Sequence, residues 1–282
     1  GVTVATVAVP QAMAYALIAG LPVEHGLYTA IVMTAVGAIF DSSRQLINGP
    51  TNAISIALLS AIAAVPEDRK LEAAILLAFM VGAIQLAISL FRLGDLERYI
   101  SHSVIVGFTL GASTLLVLDQ VKNLLGLAAV GGPHAHFLVR FWGSLSEGGG
   151  IHGATAAVGI GTIVLLVVLR FLKKQLGARL MPDLLLAVAI MAVLTALFDL
   201  DQQGVRVVGE IPAKLPAFGA PHYDLALARD LGSGALAIAV LGLLEAISMA
   251  KAIAAVTKQK LDMNQQCLSE SLANLSGSFF HC

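Results

Sequence analysis

Residues 48–65 read Asn48-Gly49-Pro50-Thr51-Asn52-Ala53-Ile54-Ser55-Ile56-Ala57-Leu58-Leu59-Ser60-Ala61-Ile62-Ala63-Ala64-Val65. From Pro50 to Val65 the run is apolar, but at 1.5 Å per residue it falls short of the ~30 Å hydrocarbon core of a bilayer. Its opening reads as a helix start: proline suits the first helical position, and Gly49 lets the chain bend sharply just before it. Two placements stay open. The run is either a short surface loop followed by an ordinary helix, or a helix that begins inside the membrane. In the second case hydrocarbon cannot satisfy its first amides, so protein, water or a ligand must. Unpaired N–H groups and the helix dipole would then favour an anion at that end.

The rest of the chain supports a membrane setting. Of 282 residues, 57% are hydrophobic and 12% charged, against about 45–50% and about 25% in soluble domains. Mean hydropathy is +0.86. This composition excludes a soluble enzyme and a disordered chain. The formal net charge of −1 offers no basic field for nucleic acid. Two cysteines, Cys267 and Cys282, make neither a disulfide framework nor a CxxC metal site. No metal or cofactor is expected. The chain opens at Gly1-Val2-Thr3 with no basic leader and stops within apolar sequence at Phe279-Phe280-His281-Cys282. It is expected to be part of a longer protein.

Apolar runs predict nine spans at 1–19, 26–40, 50–65, 71–91, 101–118, 151–171, 181–199, 232–252 and, more weakly, 264–280. Longer connections at 119–150 and 200–231 separate some of them, and Val205-Arg206-Val207-Val208-Gly209 with Ile211-Pro212 suggests short extended structure. If the amino end is cytoplasmic, one set of connections holds Arg44, Arg92, Arg98, Arg170, Lys173, Lys174, Arg179, Lys251, Lys258 and Lys260. The opposite set, over roughly twice the length, holds Arg69, Lys70, Lys122, Arg140, Arg206, Lys214 and Arg229. That density bias favours the amino end inside.

Three polar residues stand out against the apolar background. Pro10 sits in the first run, where it kinks or breaks a helix, and Gln11 follows it, with Tyr15 one turn on along the same face. Gln11 either faces a cavity or bonds a neighbouring helix. Glu245, within Leu241-Gly242-Leu243-Leu244-Glu245-Ala246-Ile247-Ser248-Met249, is read as the only carboxylate deep in a long apolar run. It suits a proton carrier, a Na⁺ ligand, a counter-charge, or a structural ion pair or vestibule residue. Gly107, Gly111, Ala112, Gly159 and Gly161 suit close helix packing, as do Asn274 and Cys267, while Trp142, Phe137 and Phe141 suit an outer interface belt.

Val9-Pro10-Gln11-Ala12-Met13-Ala14-Tyr15-Ala16, then Ala19-Gly20-Leu21-Pro22 and Gly26-Leu27-Tyr28, resembles the opening signature of the SulP sulfate-permease family. The likeness continues through Ser42-Ser43-Arg44-Gln45-Leu46 and Gly49-Pro50-Thr51-Asn52-Ala53-Ile54-Ser55. It resumes at Leu244-Glu245-Ala246, Ala250-Lys251 and Asn274-Leu275-Ser276-Gly277-Ser278-Phe279-Phe280. The resemblance implies an all-α polytopic membrane protein, part of a fold of two inverted seven-segment repeats like the uracil–proton symporter, with nine segments present. Residues 1–199 would form the first repeat, 200–231 an outer connection and 232–282 the start of the second. The tenth segment and a cytosolic STAS domain would lie outside the sequence.

The resemblance further implies secondary active transport of an inorganic or small organic anion, sulfate first, driven by protons or by exchange. The alternatives are Na⁺-coupled bicarbonate transport or an anion channel of the same fold. Gln11, Tyr15, Pro50, Thr51 and Asn52 would line the anion site, and Glu245 would be the ion-coupling carboxylate. Met249 falls where sodium-coupled members carry a Thr, and a thioether is a poor ligand for a hard cation, which favours protons. Segments 1–4 and 8–9 would move as a core against a gate of segments 5–7, in a homodimer of the full-length protein in a bacterial inner membrane. An intramembrane enzyme is the rival from another class. No HExxH or paired-aspartate motif supports it, and His134, His136, His152 and His222 fall in connections, with His102 at a span edge.

Overall fold

A computed structural model describes residues 2–92, 102–128, 130, 137–177, 182–207 and 214–282. Arg98, His134, His136, Arg179 and the 208–213 part of the expected extended stretch lie outside them. Among the described residues the chain forms ten α-helices and no strand: α1 Val2–Ile18, α2 Val23–Phe40, α3 Asn52–Ala61, α4 Lys70–Leu90, α5 His102–Leu125, α6 Phe137–Glu147, α7 Gly153–Gln175, α8 Asp183–Leu197, α9 Leu225–Thr257 and α10 Met263–Phe279. Four stretches among the described residues are long and apolar enough to cross a membrane: Val23–Phe40, Glu67–Leu90, Gly153–Gln175 and Leu225–Thr257.

Each of the nine expected spans contains an α-helix, with three corrections. The connection read at 119–150 contains the last turns of α5 and the whole of α6. In α6 the apolar residues Leu138, Phe141, Trp142 and Leu145 recur at helical spacing, and Trp142 is 69% exposed, as suits an interfacial helix. The connection read at 200–231 ends earlier, because Asp224 caps α9 by accepting from the Ala226 and Leu227 amides at 2.9 and 3.2 Å. Arg69, in a short 3-10 turn before α4, donates to Asp224 at 2.8 Å. That bond and the two amides hold the Asp224 carboxyl below the usual carboxylate range. The third correction concerns Pro10, which lies inside α1 and does not break it.

The chain divides into two compact units, one of Gly1–Gln11 with Ser113–Ile211 and one of Ala12–Ala112 with Pro212–Cys282. In the first, α7 packs on α8, and Arg170 and Lys173 both reach Asp183 at the start of α8, at 3.2 and 2.8 Å. Gly159 lies so close to α5 that a Cβ there would sit 2.6 Å from Leu124 Cδ1. Ile160, Ile163, Val164, Val167 and Phe171 of α7 are exposed, a surface suited to lipid.

The second unit is built around α4, α9 and α10. Ala73, Leu76, Leu77 and Val81 of α4 pack with Leu227, Leu231, Ala235 and Ile238 of α9, and Ile54, Ala57, Leu58 and Ala61 of α3 close over them. Gly82 admits α10, since a Cβ there would lie 2.8 Å from the Leu275 backbone nitrogen. Cys267 packs between Leu243 and Ile247. By contrast, a Cβ at Gly107 or Gly111 meets nothing within 4 Å among the described residues.

Gly26 brings the backbones of α1 and α2 together: a Cβ would stand 2.2 Å from the Ala12 carbonyl oxygen. Backbone cannot yield as a side chain does, so Gly26→Ala is expected to cost about 1–3 kcal/mol by overpacking. Thermal unfolding in detergent checks this, with Gly107→Ala expected to melt like the wild type.

Candidate functional site

The helix start read from Asn48-Gly49-Pro50-Thr51 is present in the second unit, but the first helical residue is Asn52 and not Pro50, because Thr51 takes the cap position. Thr51 is extended (φ −122°, ψ 158°) and its hydroxyl accepts from the Ile54 amide at 3.4 Å, a helix cap. The Thr51 carbonyl takes the Ser55 amide at 3.0 Å and the Ser55 hydroxyl at 2.8 Å. The Asn52 and Ala53 amides, first in the helix, have no intrahelical acceptor. With ten residues, α3 is only about 15 Å long and is too short to cross a bilayer.

The segment leading into α3 is tied down by side chains. The Ser43 hydroxyl accepts from the Leu46 amide at 3.2 Å, and Thr34 of α2 donates to the Asn48 carbonyl at 2.7 Å. The Asn48 side-chain amide donates to Asp41 at 3.1 Å and to Ser269 of α10 at 3.4 Å. A helix end held from two sides keeps its amides aimed in a fixed direction.

That end borders a cavity of about 190 Å³ within the second unit, whose walls include Tyr15, Asn48, Pro50, Thr51, Gln85, Glu245, Met249, Glu270 and Asn274. No lysine or arginine is among the described residues lining it. The Thr51 hydroxyl donates to Glu245 Oε2 at 3.0 Å, so α3 and α9 meet at the two residues singled out for anion and coupling roles. Tyr15, Pro50, Thr51 and Glu245 are thus brought together. Asn52 opens α3, but its Oδ1 is buried without a partner and the residue is not part of the cavity wall. Gln11 falls in the other unit, exposed on α1, and does not line the cavity either.

Glu270 escaped the sequence reading, which took Glu245 for the one deep carboxylate. Its sequence signal is the polar series Gln266, Glu270, Asn274, spaced four apart and therefore stacked on one helix face. That face meets the second unit's interior. Asn274 donates to Gln85 Oε1 at 2.9 Å, and Gln85, 1% exposed, donates to the Ala239 carbonyl at 3.2 Å. A run with this much polarity scores poorly as a span, yet it is buried because protein surrounds it on three sides, from α2, α4 and α9.

A family model described as the sulfate permease family matches residues 1–282. The chain is 35% identical over 288 residues to sulfate transporter 4.1, chloroplastic, of Arabidopsis thaliana, covering 99% of this chain and 41% of that protein. It is 31% identical to the sodium-independent sulfate anion transporter of Bos taurus, covering 99% and 50%. The chain therefore spans about half the length of these curated relatives. Among solved structures it is similar to the murine solute carrier 26 family member A9 anion transporter in its inward-facing state, with a TM-score of 0.85, 23% identity, and coverage of 99% of this chain and 49% of that one. It is also similar to the transmembrane domain of the cyanobacterial bicarbonate transporter BicA, with a TM-score of 0.81, 23% identity, and coverage of 100% and 71%. These similarities show an all-helical fold shared with anion-transporter membrane domains, the inverted-repeat fold expected from the sequence, of which this chain forms a part.

Proposed function

Since the chain belongs to the sulfate permease family and is a multi-pass membrane protein, we propose that it carries a small oxyanion, sulfate first, across the membrane by alternating access. The observation that carries this reading is the capped start of α3 at the cavity edge, with Thr51 bonded to Glu245. Open amides and a helix dipole attract a negative charge without fixing a positive one beside it. Tyr15 supplies a hydroxyl on the same wall. A site of neutral donors holds the anion loosely enough to release it on the far side.

Glu245 is the coupling group. Its carboxylate takes the Thr51 hydroxyl at the helix end where the anion sits, so its charge opposes the anion directly. Protonation removes that repulsion, which ties anion occupancy to a proton. Met249 on the same wall makes sodium the poorer partner. Segments 1–4 and 8–9 carry the anion as a core and segments 5–7 serve as gate, in a homodimer of the full-length protein in a bacterial inner membrane.

Proteoliposomes containing the full-length chain test this. Labelled sulfate uptake is expected to saturate, to be driven by an inward proton gradient, and to be stimulated by sulfate on the opposite side. A flux that rises linearly with concentration and ignores trans anion would make the protein a channel. Uptake that needs sodium and not protons would make it the sodium-coupled alternative.

A further inference from the structure

The second unit holds a further carboxylate pair, Asp41 and Glu270, of which Glu270 lines the same cavity as Glu245. Gln266 of α10 is 0% exposed, and its amide nitrogen donates to Asp41 Oδ1 at 3.1 Å and to Glu270 Oε1 at 3.4 Å. One nitrogen thus bridges two carboxyl groups. Asp41 Oδ1 also takes the Asn48 amide at 3.1 Å.

The side-chain amide protons of Gln266 and Asn48 are thus taken up, and the Ser269 hydroxyl, which accepts from Asn48, is a further donor that reaches Asp41. Asp41 Oδ2 and Asn48 Oδ1 are buried and have no hydrogen-bond partner. Asn48 is 4% exposed and lines the cavity, so its orphaned oxygen is a deficit independent of the acids. An ionised carboxylate only accepts, so it cannot relieve such a deficit; a protonated one donates. Among the described residues, no ion pair is formed by Asp41, Glu270 or Glu245, and no lysine or arginine lines the cavity. The other titratable groups lining the cavity that Glu270 borders are Glu245 from α9, His25 from α2, whose ring nitrogen meets the His281 carbonyl oxygen at 2.6 Å, Tyr15 from α1 and Cys282, while α4 presents the neutral Gln85. Two carboxylates linked through one buried amide, with a third nearby, do not all ionise without a counter-charge. No group of three or more His, Cys, Asp or Glu among the described residues is arranged to hold a metal ion.

We propose that Asp41 and Glu270 share one proton, forming a protonation site separate from Glu245. The step is the uptake of one proton from water onto a carboxylate oxygen, with no other bond broken. The bound proton supplies the donor that the two orphaned acceptors call for. Its use in transport rests on the function proposed above, whereas its existence does not.

Infrared difference spectroscopy of the full-length protein in lipid nanodiscs reads the proton without reference to transport. In a Glu245→Gln background, which removes that carboxyl's own signal, a protonated-carboxyl C=O band is expected at neutral pH. It should shift in deuterium oxide and disappear in both Asp41→Asn and Glu270→Gln. Asp41→Asn places a donor where the proton sat, so its melting temperature should equal or exceed that of its background. A band that survives both substitutions, or is lost in only one, overturns the shared proton. So does a band abolished by sodium at fixed pH, which would make the pair a cation site, or a clear drop in the Asp41→Asn melting temperature.

Discussion

Glu245→Gln is expected to reduce proton-driven anion accumulation to the level seen without a pH gradient, while anion exchange continues. Glutamine keeps the shape of glutamate and an oxygen that accepts the Thr51 hydroxyl, which Glu245 takes at 3.0 Å. The α3–α9 contact therefore survives, and only the ability to bind and release a proton is lost. The variant resembles the permanently protonated state, so the anion site should stay occupied at a pH where the wild type empties it. The measurement is labelled sulfate accumulation in proteoliposomes with and without an inward proton gradient, alongside sulfate–sulfate exchange. Accumulation that still follows the gradient in the variant would remove Glu245 from the coupling role. Loss of both activities together would point instead to a structural part for the residue.

The second large effect is expected from Thr51→Trp, which should abolish uptake and exchange of every anion tested. Thr51 borders a cavity of only about 190 Å³, and an indole at that point fills much of the space at the start of α3. A companion change separates blockage from misfolding. Thr51→Val keeps the volume but removes the hydroxyl, costing the helix cap about 1 kcal/mol and the donor to Glu245, with the cavity still open. Thr51→Val should therefore retain exchange with weakened affinity, while Thr51→Trp, of equal or better thermal stability, retains none. Normal transport by Thr51→Trp would move the anion site elsewhere.

Much of the architecture was legible because lipid imposes long apolar runs and leaves little room for alternatives. The short run after Pro50 was recognisable as a helix start from Gly49, Pro50 and Thr51 alone, since these residues act on backbone within a few positions of themselves. Glu245 was visible because a carboxylate among leucines and alanines has no other excuse. Glu270 was less visible for the opposite reason: its neighbours Gln266, Ser269, Ser271 and Asn274 are polar, so nothing local marks its depth. Only the packing of α10 among α2, α4 and α9 buries that face.

The same distinction holds across the molecule. Composition and local spacing settled that the chain is helical, lies in a membrane and begins one helix too short to cross it, because those outcomes depend on hydration and on backbone geometry near each residue. Which polar groups meet was decided in three dimensions. Thr51 and Glu245 lie 194 positions apart, and Asp41 and Gln266 lie 225 apart. Hydrogen bonding and charge act over a few ångströms of space, so they answer to the packed neighbour and not to the order of the chain.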